Sequence, residues 1–226
     1  MPFVKDVGFT EIKGYPIVWR YIDFAKFVSM LENRALHFMR ADKLLELDPY
    51  EGHFDELRIL QQYKKYPKVY KKIEDHARYE HPKNLFVNCW HVNENQSDAM
   101  WKVYASQDKG IAIVSSLSNL MSSMKSSPEK IRFGKVQYVS RKEIIYNKDL
   151  HKRFLIKGDS YKHENEMRLF LFRPEDGRRD GIDLLVDLTS LILKIYVSPL
   201  SPDWFVELVR SIASKYGIRD NLVEKS

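Results

Sequence analysis

Apolar and polar positions alternate with two different periodicities along the chain, and these periodicities predict its secondary structure. Short apolar runs, some alternating with polar residues, predict strands at 16–21, 35–41, 85–92, 111–116, 135–139, 167–173, 184–188 and 193–198. Several late strands follow one another with turns rather than helices between them, which favours antiparallel pairing. We therefore predict one α+β domain over residues 1–226, with flanking helices and a mainly antiparallel sheet, continuous or split.

Apolar spacings of three and four residues predict the helices. Asp23 is expected to cap a helix that runs to Glu32, and Asp98 to cap one that ends near Tyr104. A short helix is expected within 117–124. The last helix should open at Pro202 and Asp203, end at Gly217, and bury one face made of Trp204, Phe205, Leu208, Val209, Ile212, Ala213 and Tyr216.

A lysine- and tyrosine-rich helical insertion is predicted over residues 55–83, between two strands. Its apolar positions form one helical stripe: Tyr63, Tyr66, Tyr70, Ile73 and Ala77. Around that stripe lie Lys64, Lys65, Lys68, Lys71 and Lys72. One interpretation is a solvated helix with its tyrosines toward the core. The other is a surface whose lysines contact the phosphates of a nucleic acid.

Composition excludes several classes of protein. The chain has 226 residues, 44% of them apolar and 30% charged, which is typical of a globular protein. No apolar run is long enough for a membrane helix, and the N-terminal residues lack a signal-peptide pattern, so a cytoplasmic protein without a membrane partner is expected. The single Cys89 excludes an internal disulfide and a cysteine-rich zinc site, and its apolar neighbours predict a buried, unreactive thiol.

Charge is concentrated in one part of the sequence. The formal net charge is +6, and the seven basic and three acidic residues of 61–83 place most of that excess in the predicted insertion. The sequence contains no phosphate-binding glycine motif, no nucleophile elbow and no histidine pair at metal-ligand spacing. No metal is therefore predicted.

Several polar residues next to these predicted elements are candidates for a functional site. Arg20 ends an apolar strand, and Asp48 and Glu51 lie in an Asp-Pro-Tyr-Glu-Gly turn. The stretch 157–168 holds Lys157, Tyr161, Glu164, Glu166 and Arg168. Because the last three alternate, they would share one face of an extended chain. That face could be a salt-bridged surface or the floor of a polar cleft.

In these residues the sequence resembles the bacterial domain-of-unknown-function 2971 family. The matching pieces run in the family's order and include Asp48-Pro49-Tyr50-Glu51-Gly52, Met100-Trp101 with Tyr104, and Lys157 with Tyr161, Glu164, Glu166 and Arg168. The chain departs from the family at three places. It has Glu46-Leu47 where the family has Phe-Asn, Trp90-His91 where it has Phe-Ser, and Tyr161 where it has Trp.

The family carries no assigned activity, but its layout is similar to that of the ADP-ribosyltransferases, especially those that modify nucleic acid. This resemblance implies a split antiparallel sheet with NAD in the cleft. It implies that Glu166 and Glu164 are the catalytic carboxylates. It assigns cofactor binding to Arg20, to the aromatic Trp101 or Tyr104, and to Lys157 and Arg168. In the same layout, the lysine-rich helix would hold a nucleic-acid acceptor.

Three functions remain open at this point. The first is an NAD-consuming transferase or glycohydrolase of phage defence or toxin–antitoxin conflict, acting on nucleic acid or protein. The second is a metal-dependent nuclease whose Mg²⁺ ligands would be Asp48, Glu51, Glu164 and Glu166. The third is a non-catalytic protein that binds a cognate antitoxin or defence partner. A cleft lined by Arg20, an exposed aromatic and Glu166 favours the first. Converging carboxylates favour the second, and a paired Glu166–Arg168 without a cleft favours the third.

Overall fold

The computed structural model describes residues 14–48, 51–52, 61–105, 108–140 and 152–226. Within these residues, a mainly antiparallel sheet is flanked by helices, which confirms the predicted α+β class. The strands are β1 (Ile17–Asp23), β2 (Ala35–Arg40), β3 (Leu85–Val92), β4 (Gly110–Ser116), β5 (Arg132–Lys135), β6 (Gln137–Val139), β7 (Ile156–Gly158), β8 (Glu166–Phe172), β9 (Gly181–Leu185), β10 (Lys194–Val197) and β11 (Val223–Lys225).

Helices occupy much of the chain between these strands. They are α1 (Phe24–Asn33), α2 (Asp42–Leu47), α3 (Pro67–Asp75), α4 (His81–Asn84), α5 (Asp98–Tyr104), α6 (Leu117–Ser123), α7 (Leu188–Leu191) and α8 (Asp203–Lys215). A π-helical turn, His76–Glu80, joins α3 to α4. None of the helices in the described ranges is both long and apolar enough to cross a membrane.

The main sheet runs in the order β11-β10-β4-β1-β3-β2-β9, and β8 and then β5 add to the other edge of β3. β1 pairs with β4 along its whole length. By contrast, β3 is held on one edge only near its two ends, by β1 and by β2: Val18↔Val92, Trp19↔His91, Met39↔Val87 and Arg40↔Phe86. The middle of β3, Asn88 to Trp90, therefore has no strand partner on that edge, and we call this opening the gap. The sheet is split.

Both faces of the sheet are covered, which explains why β3 reads as a continuous apolar run. Phe86 and Trp90 join the larger core beneath α1, α6, α7 and α8. Leu85 and Val87 alternate with them and pack with Phe154 in a smaller core on the opposite face. Because side chains alternate between the two faces of a strand, β3 contributes apolar side chains to two separate cores.

The predicted N-terminal cap is correct for α1 and wrong by one residue for α5. The Asp23 carboxylate accepts a hydrogen bond from the Lys26 backbone N–H at 2.8 Å and caps α1, as predicted. In α5 the cap is Ser97, whose hydroxyl accepts from the Met100 N–H. Asp98 is the first helical residue rather than the cap, so that prediction was wrong by one position.

Helix α8 forms where it was predicted, and its predicted buried face was wrong at two positions, Trp204 and Leu208. The buried stripe consists of Phe205, Val206, Val209 and Ala213. Trp204 is 60% exposed and Leu208 is 37% exposed. Each precedes a buried residue by one position, which on a helix is a rotation of about 100° away from the core. The apolar composition of α8 therefore exceeds what its core contact requires.

The predicted insertion lies between α2 and β3, and its residues 53–60 fall outside the described residues. The tyrosine stripe was predicted to face the core. Instead, no side chain of α3 is buried, and Tyr66 is 63% exposed. Ala77, in the π-helical turn, is the stripe residue that is buried. The helix is amphipathic without a deep core contact.

The two faces of α8 predict different costs for similar substitutions. Phe205 is 1% exposed and packs edge-to-face on Phe24 at 5.0 Å between ring centroids. Phe205→Ala should lower the free energy of unfolding by about 3–5 kcal/mol, because it leaves a cavity. Leu208→Ala should cost less than about 1 kcal/mol. Urea unfolding of both variants checks this, and equal losses would contradict the assigned face.

Candidate functional site

A cavity of about 580 Å³ lies at the gap between β1, β2 and β3. That volume is within the range of small-molecule sites. Its walls include Arg20, His37, Cys89, His91, Tyr104 and Glu166. Three of the predicted site residues, Arg20, Tyr104 and Glu166, therefore share one cavity.

Residues from both faces of the sheet reach this cavity. Trp19, His91 and Glu166 stand side by side across β1, β3 and β8, so they share one face. Arg20 follows Trp19 in β1, and Trp90 precedes His91 in β3. Because neighbouring residues of a strand point to opposite faces, Arg20 and Trp90 belong to the opposite face. Because members of both sets line the cavity, it extends through the gap.

Arg20 brings an unpaired positive charge to this wall. Its NH2 donates to the His37 carbonyl at 3.4 Å, and its guanidinium lies 5.8 Å from the centroid of the Trp90 ring. Among the described residues it has no carboxylate within 4 Å, and its NH1 is buried without an acceptor. Burial lowers the pKa of Arg20 to about 10, so the group remains a cation at neutral pH.

Asn88 supports Arg20 from the unpaired part of β3. Its Nδ2 donates to the same His37 carbonyl at 2.8 Å. The Trp90 indole N–H donates to Asn88 Oδ1 at 2.6 Å, which fixes the orientation of the amide. Two side chains thus bridge the gap to one backbone oxygen.

Behind Glu166 lies a buried group of five charged residues, which we call the ion cluster: Glu51, Lys157, Glu164, Glu166 and Arg168. Arg168 forms ion pairs with Glu51 and, at 2.5 Å, with Glu166 Oε2. Its NH1 also donates to the Phe154 carbonyl at 2.7 Å. Lys157 Nζ lies 2.6 Å from Glu164, 3.8 Å from Glu51 and 3.9 Å from Glu166 Oε1.

The cluster sets the charge of each of its members. Burial alone would raise the pKa of Glu166, but Arg168 and Lys157 outweigh it and hold that pKa below its ordinary value. Burial would likewise lower the pKa of Lys157, and Glu166 and Glu51 instead raise it. Burial raises the pKa of Glu51 above its usual range. Glu166 is therefore a stable carboxylate on the cavity wall.

Glu51 reaches the cluster because of a glycine beside it. Gly52 has φ +66°, and a Cβ at this position would lie 2.6 Å from Phe154 Cε1. Only a glycine combines this left-handed conformation with so close an approach. The turn therefore packs Gly52 against Phe154 and holds the Glu51 carboxylate against Arg168.

Tyr104 and His91 both contact Glu164. The Tyr104 hydroxyl donates to Glu164 Oε1 at 2.5 Å, while 40% of the side chain stays exposed at the cavity. Burial and the Glu164 carboxylate raise the pKa of Tyr104, so it is a neutral donor. His91 Nδ1–H donates to the Glu164 backbone carbonyl at 2.6 Å, which leaves Nε2 buried without a partner.

His91 was not among the predicted site residues. Burial lowers the pKa of His91, so the ring is neutral at physiological pH. The one signal for it in the sequence was a polar residue at the end of the apolar run 85–92, at a position where the resembling family has Ser.

The remaining predicted residues lie away from the cavity wall. Lys157, Glu164 and Arg168 stand behind Glu166 in the ion cluster. Trp101 is buried edge-to-face on Tyr21, at 5.1 Å between ring centroids, and does not line the cavity. Asp48 is buried in its turn, where its carbonyl accepts from the Glu51 N–H. The five lysines of the insertion are exposed at and before α3.

One geometric prediction for this set was wrong. Glu164 was expected to share a strand face with Glu166 and Arg168. It ends the 3₁₀ helix Asp159–Glu164, and Asn165, with φ 38°, turns the chain before β8 begins. Glu164 nevertheless joins the ion cluster through Lys157.

Two alternative chemistries receive little support from this geometry. Three carboxylates converge, but on the side chains of Lys157 and Arg168, and the described residues contain no group of three His, Cys, Asp or Glu placed to hold a metal. Cys89 is half-buried on the cavity wall. Burial, followed by Glu166, raises the pKa of Cys89 to about 12, so it stays a thiol rather than a nucleophilic thiolate.

Comparison with known proteins gives one match. A family model described as "Protein of unknown function (DUF2971)" matches residues 100–169, over which the chain is similar to that family. The matched stretch includes Tyr104 and four members of the ion cluster: Lys157, Glu164, Glu166 and Arg168. No curated protein and no solved structure matches the chain.

The buried, neutral His91 predicts a dependence of stability on pH. Its pKa in the folded state is lowered, so the unfolded chain binds a proton that the folded chain does not. The stability due to neutral His91 is present above about pH 6.5, the ordinary histidine pKa, and falls as the pH drops below it. His91→Asn keeps a donor for the Glu164 carbonyl and should reduce this loss between pH 7.5 and 5.5.

Urea unfolding at the two pH values measures this effect. The matched control is His76→Asn, at an exposed histidine, which should change this difference much less than His91→Asn does. An equally steep pH dependence in wild type and His91→Asn would contradict the buried neutral assignment.

Proposed function

We propose that the cavity binds NAD and that the protein cleaves the bond between ribose and nicotinamide, passing ADP-ribose to an acceptor or to water. One observation carries this proposal. A single cavity at the gap in the sheet is lined by Arg20, which has no carboxylate partner among the described residues, by the exposed ring of Tyr104 and by the ionised carboxylate of Glu166. A dinucleotide has the complementary parts: a pyrophosphate, an aromatic ring and a carbon that becomes cationic.

Arg20 is suited to the pyrophosphate. A guanidinium offers paired donors that match phosphate oxygens. Its NH1 is buried without an acceptor, so a phosphate oxygen would satisfy a donor that the protein leaves unsatisfied. No carboxylate of the described residues competes for this charge within 4 Å.

Tyr104 supplies an aromatic surface at the same cavity. Its hydroxyl is held by Glu164, so the ring has a fixed position. A fixed, partly exposed ring can stack on nicotinamide without first losing rotational freedom. We assign the stacking role to Tyr104 rather than to Trp101, which is buried away from the cavity.

Glu166 would stabilise the reacting carbon. As the bond from C1′ to the nicotinamide nitrogen breaks, the electron pair leaves with nicotinamide and positive charge develops on the ribose. Arg168 holds Oε2 of Glu166, whereas Lys157 Nζ lies 3.9 Å from Oε1. A prepositioned carboxylate, ionised at neutral pH, is the group that stabilises such a cation.

The reaction is completed by an acceptor oxygen or nitrogen, which forms a bond to C1′ and gives its proton to solvent water. Glu164 is unsuited to accept that proton directly, because Tyr104 and Lys157 occupy both of its carboxylate oxygens. We therefore assign Glu164 as a positioning residue that orients Tyr104 and Lys157, and Glu166 as the catalytic residue.

The proposal predicts a large effect of one conservative substitution. Wild type incubated with NAD should release nicotinamide, measured by liquid chromatography. Glu166→Gln keeps the size of the side chain and removes its charge, so release should fall about 100- to 1,000-fold, as when a group that stabilises a transition state is removed. The exposed Glu175→Gln should retain wild-type activity.

Circular dichroism and thermal unfolding must show that Glu166→Gln is folded. A folded variant with wild-type turnover would remove Glu166 from the mechanism. Absence of nicotinamide release from the wild type would overturn the proposed function itself, and would favour a binding protein in which the ion cluster is structural.

A second substitution tests binding separately from chemistry. Arg20→Met should weaken NAD binding by at least tenfold in isothermal titration calorimetry, because it removes a charged donor from the pyrophosphate. Glu166→Gln should bind NAD with nearly wild-type affinity. Arg179→Met, at an exposed arginine, is the control. Unchanged affinity in Arg20→Met would contradict the assigned site.

A further inference from the structure

A second feature, outside the cavity, is a concentration of uncompensated positive charge. We define the lysine segment as residues 64–72, which cover the turn before α3 and most of that helix. Four of its lysines are exposed and, among the described residues, have no carboxylate within 4 Å: Lys64, Lys65, Lys68 and Lys72. This charge is therefore available to a partner.

The acidic residues that follow the segment do not neutralise it. Asp75 and Glu74 pair with Lys71 at 2.9 and 3.4 Å. Glu80 pairs with His76 at 2.9 Å. The nearby carboxylates are thus engaged by the fifth lysine and by the π-helical turn, which leaves the other four lysines as a separate cationic surface.

The spacing of these lysines suits a chain of phosphates. Lys68 and Lys72 are four residues apart in α3, so they lie on one side of the helix. Lys64 and Lys65 extend the charge into the turn that precedes it. Lys68 and Lys72 lie about 6 Å apart along the helix axis, at a rise of about 1.5 Å per residue.

Exposed tyrosines accompany the lysines. Tyr66, within the segment, is 63% exposed, and Tyr79, in the π-helical turn, is 56% exposed. Exposed aromatic rings beside cations are the combination that binds single-stranded nucleic acid, because bases stack on the rings while the cations follow the backbone. Paired bases in a duplex cannot stack on these rings.

We infer that the lysine segment, with Tyr66 and Tyr79, binds single-stranded nucleic acid. The inference does not depend on the proposed cleavage of NAD. If both hold, the bound strand is the natural candidate for the acceptor of ADP-ribose.

Fluorescence anisotropy with a labelled 20-nucleotide single-stranded thymidine oligonucleotide tests this binding, without NAD present. Each lysine–phosphate contact on a single strand contributes about −0.7 to the slope of log affinity against log salt. Four contacts predict a loss of affinity of about 50-fold between 50 and 200 mM NaCl. Replacing the four lysines together by Gln should remove most of the binding and of the salt dependence.

The control is a second quadruple variant with the same change in charge. Exposed lysines without an ion pair elsewhere in the described chain include Lys109, Lys125, Lys130 and Lys215, and these four are replaced. Either set of Gln substitutions lowers the formal net charge of +6 by four. The control variant should keep its affinity within a factor of about two to three. Equal losses in both variants would show that net charge, and not the lysine segment, drives binding.

The tyrosines separate single-stranded binding from duplex binding. Tyr66→Ala with Tyr79→Ala should weaken binding of the single strand at least fivefold, since stacking is lost, and should leave binding of a 20-base-pair duplex unchanged. Tyr15→Ala, at an exposed tyrosine elsewhere, is the control. Failure of the wild type to bind the single strand at 50 mM NaCl, or tighter binding of the duplex, would overturn the inference.

The two proposals fail in distinguishable ways. Nicotinamide release into water should be unaffected in the quadruple variant of the lysine segment, because none of its residues lines the cavity. Oligonucleotide binding should be unaffected in Glu166→Gln. Circular dichroism confirms that each variant is folded.

Discussion

The charge of Arg168 is fully buried inside β8, and much of the site is arranged around it. Removing a guanidinium from water costs several kcal/mol unless close partners compensate. Those partners come from three separate parts of the chain: Glu166 in the same strand, Glu51 in the turn after α2, and the carbonyl of Phe154. One buried cation thereby fixes two loops against the sheet. Lys157 then balances the carboxylates that Arg168 has gathered, so that none of them stands alone in the interior.

This arrangement divides the charges around the cavity into two sets. On one side, Glu166 belongs to a network whose members satisfy one another, and its position and charge are held by its neighbours. On the other side, Arg20 contacts a backbone carbonyl and an indole ring but, within the part of the chain that the structure describes, no carboxylate. A ligand that is anionic at one end and becomes cationic at the other would complete both sets at once. The gap in the sheet allows these sides to meet, because Arg20 and Glu166 come from opposite faces.

Much of the fold follows from local pattern, whereas the site depends on contacts distant in sequence. The periodicity of apolar residues was sufficient to predict the fold class and most strands, and Asp23 identified the start of α1. It failed at Trp204 and Leu208, because an apolar residue on a helix does not show whether a neighbour covers it. Glu164 was placed on a strand because alternation alone does not detect a left-handed residue such as Asn165.

Arg20 and Glu166 were selected from their positions at the ends of apolar runs and from a family resemblance, and both line the cavity. The pairing of Glu51 with Arg168 joins residues more than a hundred positions apart. It could not be predicted without the fold. His91 escaped notice for a related reason, since its significance lies in a ring nitrogen that the surrounding structure leaves unpaired.

The gap also determines what joins β1 to β2 in the middle of the sheet. Asn88, Cys89 and Trp90 pair with β8 on one edge but with neither β1 nor β2 on the other, where the side chains of Arg20 and Asn88 share the carbonyl oxygen of His37. Backbone pairing holds β1 to β4 and β2 to β9, and each of the two strands is also held to one end of β3. A ligand that draws Arg20 away from His37 would therefore remove a side-chain hydrogen bond between β1 and β2 while leaving the strand pairing in place, so occupancy of the cavity and this contact between the two strands are coupled through a single oxygen atom.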